Sequence, residues 1–189
     1  MKIGVLALQG AFLEHRAALD RLGVHSVEVR LPSQLEGIDG LILPGGESTT
    51  FAKLAVSFKL MEPLREMARS VPMFGTCAGL VFMAKDCGRD QPVLGVMDIV
   101  VERNAFGRQV DSFEADLEIK GIGEGPFHGV FIRAPVVRSV GPSVDVLAAL
   151  EDGRIVAVRQ GIMLASAFHP ELTLDDRMHR LFLEIVRNR

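Results

Sequence analysis

Two cysteines, Cys77 and Cys87, are all that this sequence of 189 residues contains. That is too few for a disulfide framework, and their spacing is not that of a metal-binding pair. A cytoplasmic protein with reduced thiols is the simplest expectation. Also missing is any apolar run near the ~18 residues of a membrane span. The opening segment, Met1 to Gly10, has one charge and then a short apolar run. That run stops at Gln9 without a small-residue cleavage site, so a first β-strand is expected there rather than a secretion signal. Positive charge is not in excess either. The formal net charge is −3 and the arginines are scattered, which argues against nucleic acid and membrane surfaces as partners. Repeats, linkers and low-complexity stretches are absent. What remains is 48% hydrophobic and 24% charged, ordinary for a globular protein. The length fits one domain, expected over residues 1–189.

The first half reads as alternating strand and helix. Lys2 to Leu8 is strand-like and Ala11 to Leu22 is an amphipathic helix, with apolar Phe12, Leu13, Ala17 and Leu19 between charges. Strands follow at Val24 to Arg30, Ile38 to Leu43 and Val71 to Phe74, with helical stretches within Thr49 to Ser70 and from Ala78 to Lys85. Such alternation marks a parallel sheet covered on both faces. The second half is strand-rich, with Gly and Pro turns between Val96 to Val101, Phe113 to Ile119, Val130 to Ile132, Val144 to Leu150, Arg154 to Arg159 and Leu164 to Phe168. A last helix is expected from Asp175 to Val186.

Phe74-Gly75-Thr76-Cys77-Ala78-Gly79-Leu80 is the most informative stretch. It sets a cysteine between two glycines, directly after a buried strand and before a helix, the pattern of a nucleophile elbow with sulfur in place of oxygen. A sharp turn there thrusts one side chain outward while neighbouring backbone passes close by. The helix N-terminus favours thiolate, and the Ala78 N–H would lie where an oxyanion forms. The bland alternative is a structural cysteine in a tight turn. Cys87, in Asp86-Cys87-Gly88-Arg89, reads as a helix-end residue where the dipole opposes a thiolate.

Phe168-His169-Pro170-Glu171 follows the last apolar strand. In an extended segment His169 and Glu171 project to the same side, and a carboxylate there would orient the imidazole and stabilise its protonated form. An exposed histidine in a proline turn is the alternative. Cys77 and His169 each sit just past a strand, where residues of a parallel sheet converge on one crevice. The other histidines, His15 and His179 on helices, His25 in a strand and His128 in a turn, read as solvated or packed.

Leu43-Pro44-Gly45-Gly46-Glu47-Ser48-Thr49-Thr50 is a strand-to-helix turn in which Ser48 or Thr49 would cap the helix. A Gly46 N–H aimed at the same crevice would be a second oxyanion donor. The turn lacks the Gly-Lys-Ser/Thr ending of a phosphate loop. The Gly121 to Gly125 run is no dinucleotide fingerprint, since Pro126 follows it, and no metal-ligand cluster is visible.

Together these strings resemble the class I glutamine amidotransferases, and within them the glutaminase subunits of pyridoxal 5′-phosphate synthases. The resemblance runs nearly the full length, through Val5 to Gly10, Leu43 to Thr50, Gly75 to Leu80, Val101 to Glu114, Phe131 to Pro135 and Phe168 to Glu171. The triad belongs to the whole superfamily, whereas Val101 to Glu114 and Phe131 to Pro135 carry the narrower likeness. It implies a single-domain, flavodoxin-like, three-layer α/β/α fold with a mixed, mostly parallel central sheet. It implies Cys77 as nucleophile, His169 as base and Glu171 as its orienter, with glutamine contacted by Gly46, Glu47, Ser48, Arg103, Ile132 and Arg133. A fixed cation and acceptors suit the free α-carboxylate and α-ammonium of glutamine. The implied reaction hydrolyses L-glutamine to glutamate and ammonia through a Cys77 thioester. The ammonia would pass to a separate (β/α)8-barrel synthase subunit, within a large hetero-oligomer that activates an otherwise weak glutaminase. No cofactor or metal is implied for this chain. Ala167 stands where relatives often carry a hydroxyl. Competing readings are the glutaminase of another amidotransferase, a catalytically silent binding subunit, and a cysteine hydrolase or redox thiol protein.

Overall fold

The computed structural model describes residues 1–103 and 112–189. Asn104 to Asp111, the middle of one string that carries the resemblance, lie outside the described residues. The first half alternates as its sequence suggests: β1 Lys2–Leu6, α1 Phe12–Arg21, β2 His25–Val29, β3 Gly40–Leu43, α2 Ser48–Ser57, α3 Met61–Met67, β4 Met73–Thr76 and α4 Ala78–Met83. The second half contains β5 Ala84–Asp86, β6 Met97–Glu102, β7 Ser112–Leu117, β8 Phe127–Ile132, β9 Val136–Val140, β10 Asp145–Ala149, β11 Ile155–Gln160, β12 Met163–Ser166 and α5 Arg177–Arg187.

The main sheet runs β2-β1-β3-β4-β12-β11-β9-β6-β5, with β10 paired to β11. From β2 to β12 every pairing is parallel. The pairings from β12 through β6 are antiparallel, and β5–β6 is parallel again, so the sheet is mixed. β7 and β8 form a separate antiparallel pair.

Period-two alternation makes the three layers. Leu41 and Leu43 of β3 join one apolar cluster with Phe51, Leu64 and Phe82 of α2, α3 and α4. Ile42 between them joins the other, with Leu19 of α1 and Phe182 of α5. Successive side chains of a strand point to opposite faces, so a strand buried on both faces must be apolar throughout. Gly40–Leu43 satisfies this, each residue being buried.

Three local expectations are corrected. Helix α4 ends at Met83, because Ala84 and Asp86 pair with Met97 and Val100 of β6; Cys87 therefore follows a strand, not a helix end. It is buried, with its thiol 3.7 Å from the Arg89 carbonyl. Val136–Val140 is a strand that the sequence reading passed over, paired to β6. His128 lies within β8 rather than in a turn. Among the described residues no helix is long and apolar enough to cross a membrane.

Candidate active site

β4 ends at Thr76 and α4 begins at Ala78, leaving Cys77 alone in the turn at φ 48°, ψ −100°. A left-handed φ at a non-glycine residue costs about 1–3 kcal/mol and persists only where the surroundings enforce it. Enforcement comes from both sides. The Cys77 N–H donates to the Ser166 carbonyl of β12 at 2.8 Å, and the Cys77 carbonyl accepts from Val81 N at 3.2 Å. The flanking glycines allow the crowding: a Cβ on Gly79 would lie 1.9 Å from the Leu43 carbonyl oxygen, and one on Gly75 would lie 2.7 Å from the Gly79 backbone. The elbow that the sequence suggests is present.

His169 follows β12, with its N–H donating to the Val130 carbonyl at 2.8 Å. Its Nδ1 is 2.6 Å from Glu171 Oε1, and both residues are buried. A carboxylate can only accept, so Nδ1 carries the proton and Nε2 is left for another partner. Cys77 borders the same cavity as His169, and its side chain acts on the titration of the imidazole. The local geometry differs from the extended segment expected: Pro170–Leu172 forms a single 3-10 turn. The turn still returns Glu171 beneath the imidazole.

The electrostatics favour a charged pair. Burial alone would lower the His169 pKa, but the hydrogen bonds and charges of Cys77 and Glu171 outweigh it and raise it to about 10. Burial would likewise raise the Glu171 pKa, yet His15 and His169 hold it below the ordinary value.

In front of Cys77 opens a cavity of ≈ 190 Å³ lined by Gly46, Glu47, Ser48, Cys77, Ala78, Val81, Arg103, Ile132, Arg133, Pro135 and His169. Every site residue expected from sequence therefore borders one space, except Glu171, which stands behind His169. Glu47, not Ser48 or Thr49, caps α2, its carboxylate accepting from Thr49 N at 3.1 Å and Thr50 N at 2.7 Å. Its burial cost is smaller than the gain from these bonds, and its pKa falls to about 2. Arg103 donates to Glu47 at 3.1 Å, to Thr49 Oγ1 at 2.9 Å and to Gln91 Oε1 at 2.7 Å. Arg133 is exposed in a left-handed conformation at φ 43° and forms no ion pair among the described residues. Ser48 Oγ is buried without a hydrogen-bond partner there. The Ile132 carbonyl lies 3.9 Å from Cys77 Sγ.

Several further residues support the site; His15 and His179 take the packed role expected of them, while Gln9 and Gln91 carry no mark in the sequence. Gln9 Oε1 accepts from Glu47 N at 3.1 Å, holding the Gly46–Glu47 turn to the end of β1. Gln91 supports Arg103, and nothing in its sequence context signals this. His15 and His179 are fully buried and touch each other and the site from behind. A signal existed for these two. His15 shares a helix face with Leu19, and His179 with Phe182, Leu183 and Val186, so each polar ring lies on a stripe that must be buried.

A mixed three-layer sheet with a cysteine elbow facing a His–Glu pair is the architecture of a class I glutamine amidotransferase. The chain belongs to the SNO glutamine amidotransferase family, whose model matches residues 5–188. It is 60% identical over 188 residues to the pyridoxal 5′-phosphate synthase subunit PdxT of Moorella thermoacetica, covering 98% of this chain and 100% of that one. The PdxT of Geobacillus kaustophilus is 58% identical, with 99% and 95% covered. A crystal structure of a glutamine amidotransferase superposes with a TM-score of 0.93 at 56% identity, covering 98% of each chain. The structure of PurLQS from Thermotoga maritima, at TM-score 0.70 and 18% identity over 97% of each chain, shares the fold.

Proposed function

We propose that the chain is the glutaminase subunit of a pyridoxal 5′-phosphate synthase and that all of residues 1–189 act as one glutaminase domain. It hydrolyses L-glutamine to L-glutamate and ammonia. The observation that carries the chemistry is that Cys77 and His169 border one cavity while Glu171, behind His169, holds its Nδ1 at 2.6 Å.

In this reading the Cys77 proton rests on His169 Nε2, and Cys77 Sγ attacks the side-chain amide carbon of glutamine. The carbonyl π electrons move onto oxygen, where the N–H groups of Gly46 and Ala78 stabilise the charge. His169 returns its proton to the leaving nitrogen, the C–N bond breaks, and ammonia departs. Water then attacks the γ-glutamyl thioester, His169 accepting its proton and returning it to Cys77 as glutamate leaves. Glu171 keeps the imidazole in one tautomer and balances its charge throughout.

Substrate binding follows from the cavity lining. Arg133, exposed and without an ion pair among the described residues, suits the α-carboxylate, while Glu47 and the Ile132 carbonyl are acceptors suited to the α-ammonium. Ser48 Oγ is buried without a hydrogen-bond partner among the described residues, and a bound amino acid would supply one. Arg103, fixed by Glu47, Thr49 and Gln91, sets the charge of this end.

The ammonia passes to a separate synthase subunit, a (β/α)8 barrel, in a large hetero-oligomer that raises the glutaminase rate. A cytoplasmic setting fits two free thiols. A glutamine-analogue electrophile tests the site: mass spectrometry is expected to find the adduct on Cys77 alone, with glutamine protecting it. Labelling elsewhere, or none, would refute the assignment.

A further inference from the structure

Two buried histidines take no part in the chemistry above, yet they lie against it. Glu171 uses Oε1 for His169; its other oxygen, Oε2, is buried with no hydrogen bond of good geometry among the described residues. The atom facing it is His15 Nε2 of α1, at 3.4 Å, both side chains being wholly buried. The same Nε2 lies 3.0 Å from Thr76 Oγ1, the residue before Cys77. On its far side, His15 Nδ1 is 3.0 Å from His179 Nε2 of α5. Both rings meet the edge or face of Phe74, centroid distances 6.2 and 5.9 Å, which closes the group off from water.

We propose that His15 is a positioning residue for the glutaminase reaction, its Nε2–H restraining the second oxygen of Glu171 while His179 fixes its tautomer and Thr76 ties it to the strand bearing Cys77. This rests on the reading of Cys77, His169 and Glu171 as the reacting line.

The proton count supports the tautomer. Burial, reinforced by the charge of His169, holds His15 below its ordinary pKa, although Glu171 and Glu14 pull the other way. Burial, then the nearness of His15 and Arg21, lowers His179 to about 3 against the pull of Glu171. Both rings are therefore neutral at neutral pH, and only one proton lies between Nδ1 of His15 and Nε2 of His179. If His15 carried it, its bare Nε2 would face the lone pairs of a carboxylate, and His179 would bury an N–H on Nδ1 with no acceptor. If His179 carries it, His15 presents Nε2–H to Glu171 and Thr76, and the only orphan is an acceptor lone pair on His179 Nδ1. Buried donors without partners are the rarer and costlier case. The second arrangement is the one the packing selects.

The consequence is mechanical. A carboxylate free to rotate would present Oε1 to His169 Nδ1 in only part of its orientations. With Oε2 restrained by a neutral dipole, the 2.6 Å contact is kept without placing a second positive charge beside His169. At 3.4 Å the His15 contact is longer than a good N–H···O bond, and such contacts shorten as the reacting complex forms. His15 does not border the cavity, so its loss acts on turnover and not on glutamine binding.

The test uses the enzyme assembled with its synthase subunit. His15→Phe keeps a ring but no donor, and His15→Gln restores an N–H near the same place. His15→Phe is expected to lower kcat about tenfold or more with KM for glutamine within about twofold, and His15→Gln to recover most of the loss. Wild-type kcat in His15→Phe, with Cys77→Ala inactive, would overturn the role of His15 and leave the glutaminase reading standing. Equal losses in both variants, in step with equal falls in Tm, would also overturn it by showing packing alone. An inactive wild-type assembly would instead refute the glutaminase reading. If His15→Phe does not fold, long-range ¹H–¹⁵N spectra of the wild type decide: neutral His15 with its proton on Nε2 is expected, and a proton on Nδ1 would overturn the proposal.

Discussion

Gly45 lies so close to His169 that a Cβ on it would sit 2.3 Å from the imidazole Cε1. No rotamer change relieves this, since Glu171 holds the ring by its Nδ1 and the residue is buried. The turn after β3 therefore forms the floor on which the imidazole rests, which gives the second glycine string a steric reason beside its proposed oxyanion role.

Gly45→Ala is expected to lower kcat by roughly a hundredfold, the cost of misplacing a reacting group by about an ångström. Steady-state glutaminase assays on the folded variant check this. Wild-type turnover would show that the imidazole does not stay where the structure puts it.

Glu171→Gln removes the charge but keeps the shape. Turnover is expected to fall about 10²–10⁴-fold, as when an imidazole loses its orienting carboxylate. The pH dependence has a definite sign. His169 is raised from 6.5 to about 10, so its stabilisation is complete below pH 6.5 and is lost as pH rises through about 10. Glu171 is lowered, so its share is present above pH 4.5 and is lost on acidification. Without the carboxylate the alkaline limb of the residual rate moves to lower pH, by roughly one to three pH units. An unmoved limb would separate Glu171 from the titration of His169.

Acid lability has a second source in His179. Its pKa falls from 6.5 to about 3 on burial, so the unfolded chain binds the extra proton first and stability declines as pH drops through that window. His179→Phe is expected to be less stable at pH 7, having broken the contact with His15, but to lose less on going to pH 5. Unfolding followed by circular dichroism suits a chain with neither Trp nor Tyr. A steeper loss in the variant would contradict the neutral, buried assignment.

Arg133→Ala is expected to raise KM for glutamine about 10–100-fold, the value of one hydrogen-bonded charge, with a smaller change in kcat. An unchanged KM would place the α-carboxylate elsewhere, with Arg103 the next cation to test.

Much of the fold, and the proposed reacting line, is legible in the amino-acid sequence. The strand, turn and helix around Cys77 are encoded locally, by an apolar run meeting Gly75 and Gly79. The cavity residues are legible through family resemblance, not periodicity: Arg133 alone looks like any surface arginine. What stays hidden depends on partners distant in sequence. The contact of His15 with His179 joins helices at opposite ends of the chain, and Gln91 reaches Arg103 across a loop. Strand β5 is hidden because Ala84 to Asp86 continues a helical pattern and becomes a strand only by pairing with β6. The Glu47 cap escapes notice because the short hydroxyl residues beside it are the commoner caps.

The central claim is that Cys77, His169 and Glu171 hydrolyse glutamine in service of a synthase subunit. Glutamate release from glutamine, measured with and without that subunit, tests it most directly. The account predicts a low rate for the isolated chain, a strong rise when the synthase subunit is added, and none in either condition for Cys77→Ala. Folded wild-type protein that releases no glutamate beside a competent synthase subunit would contradict it.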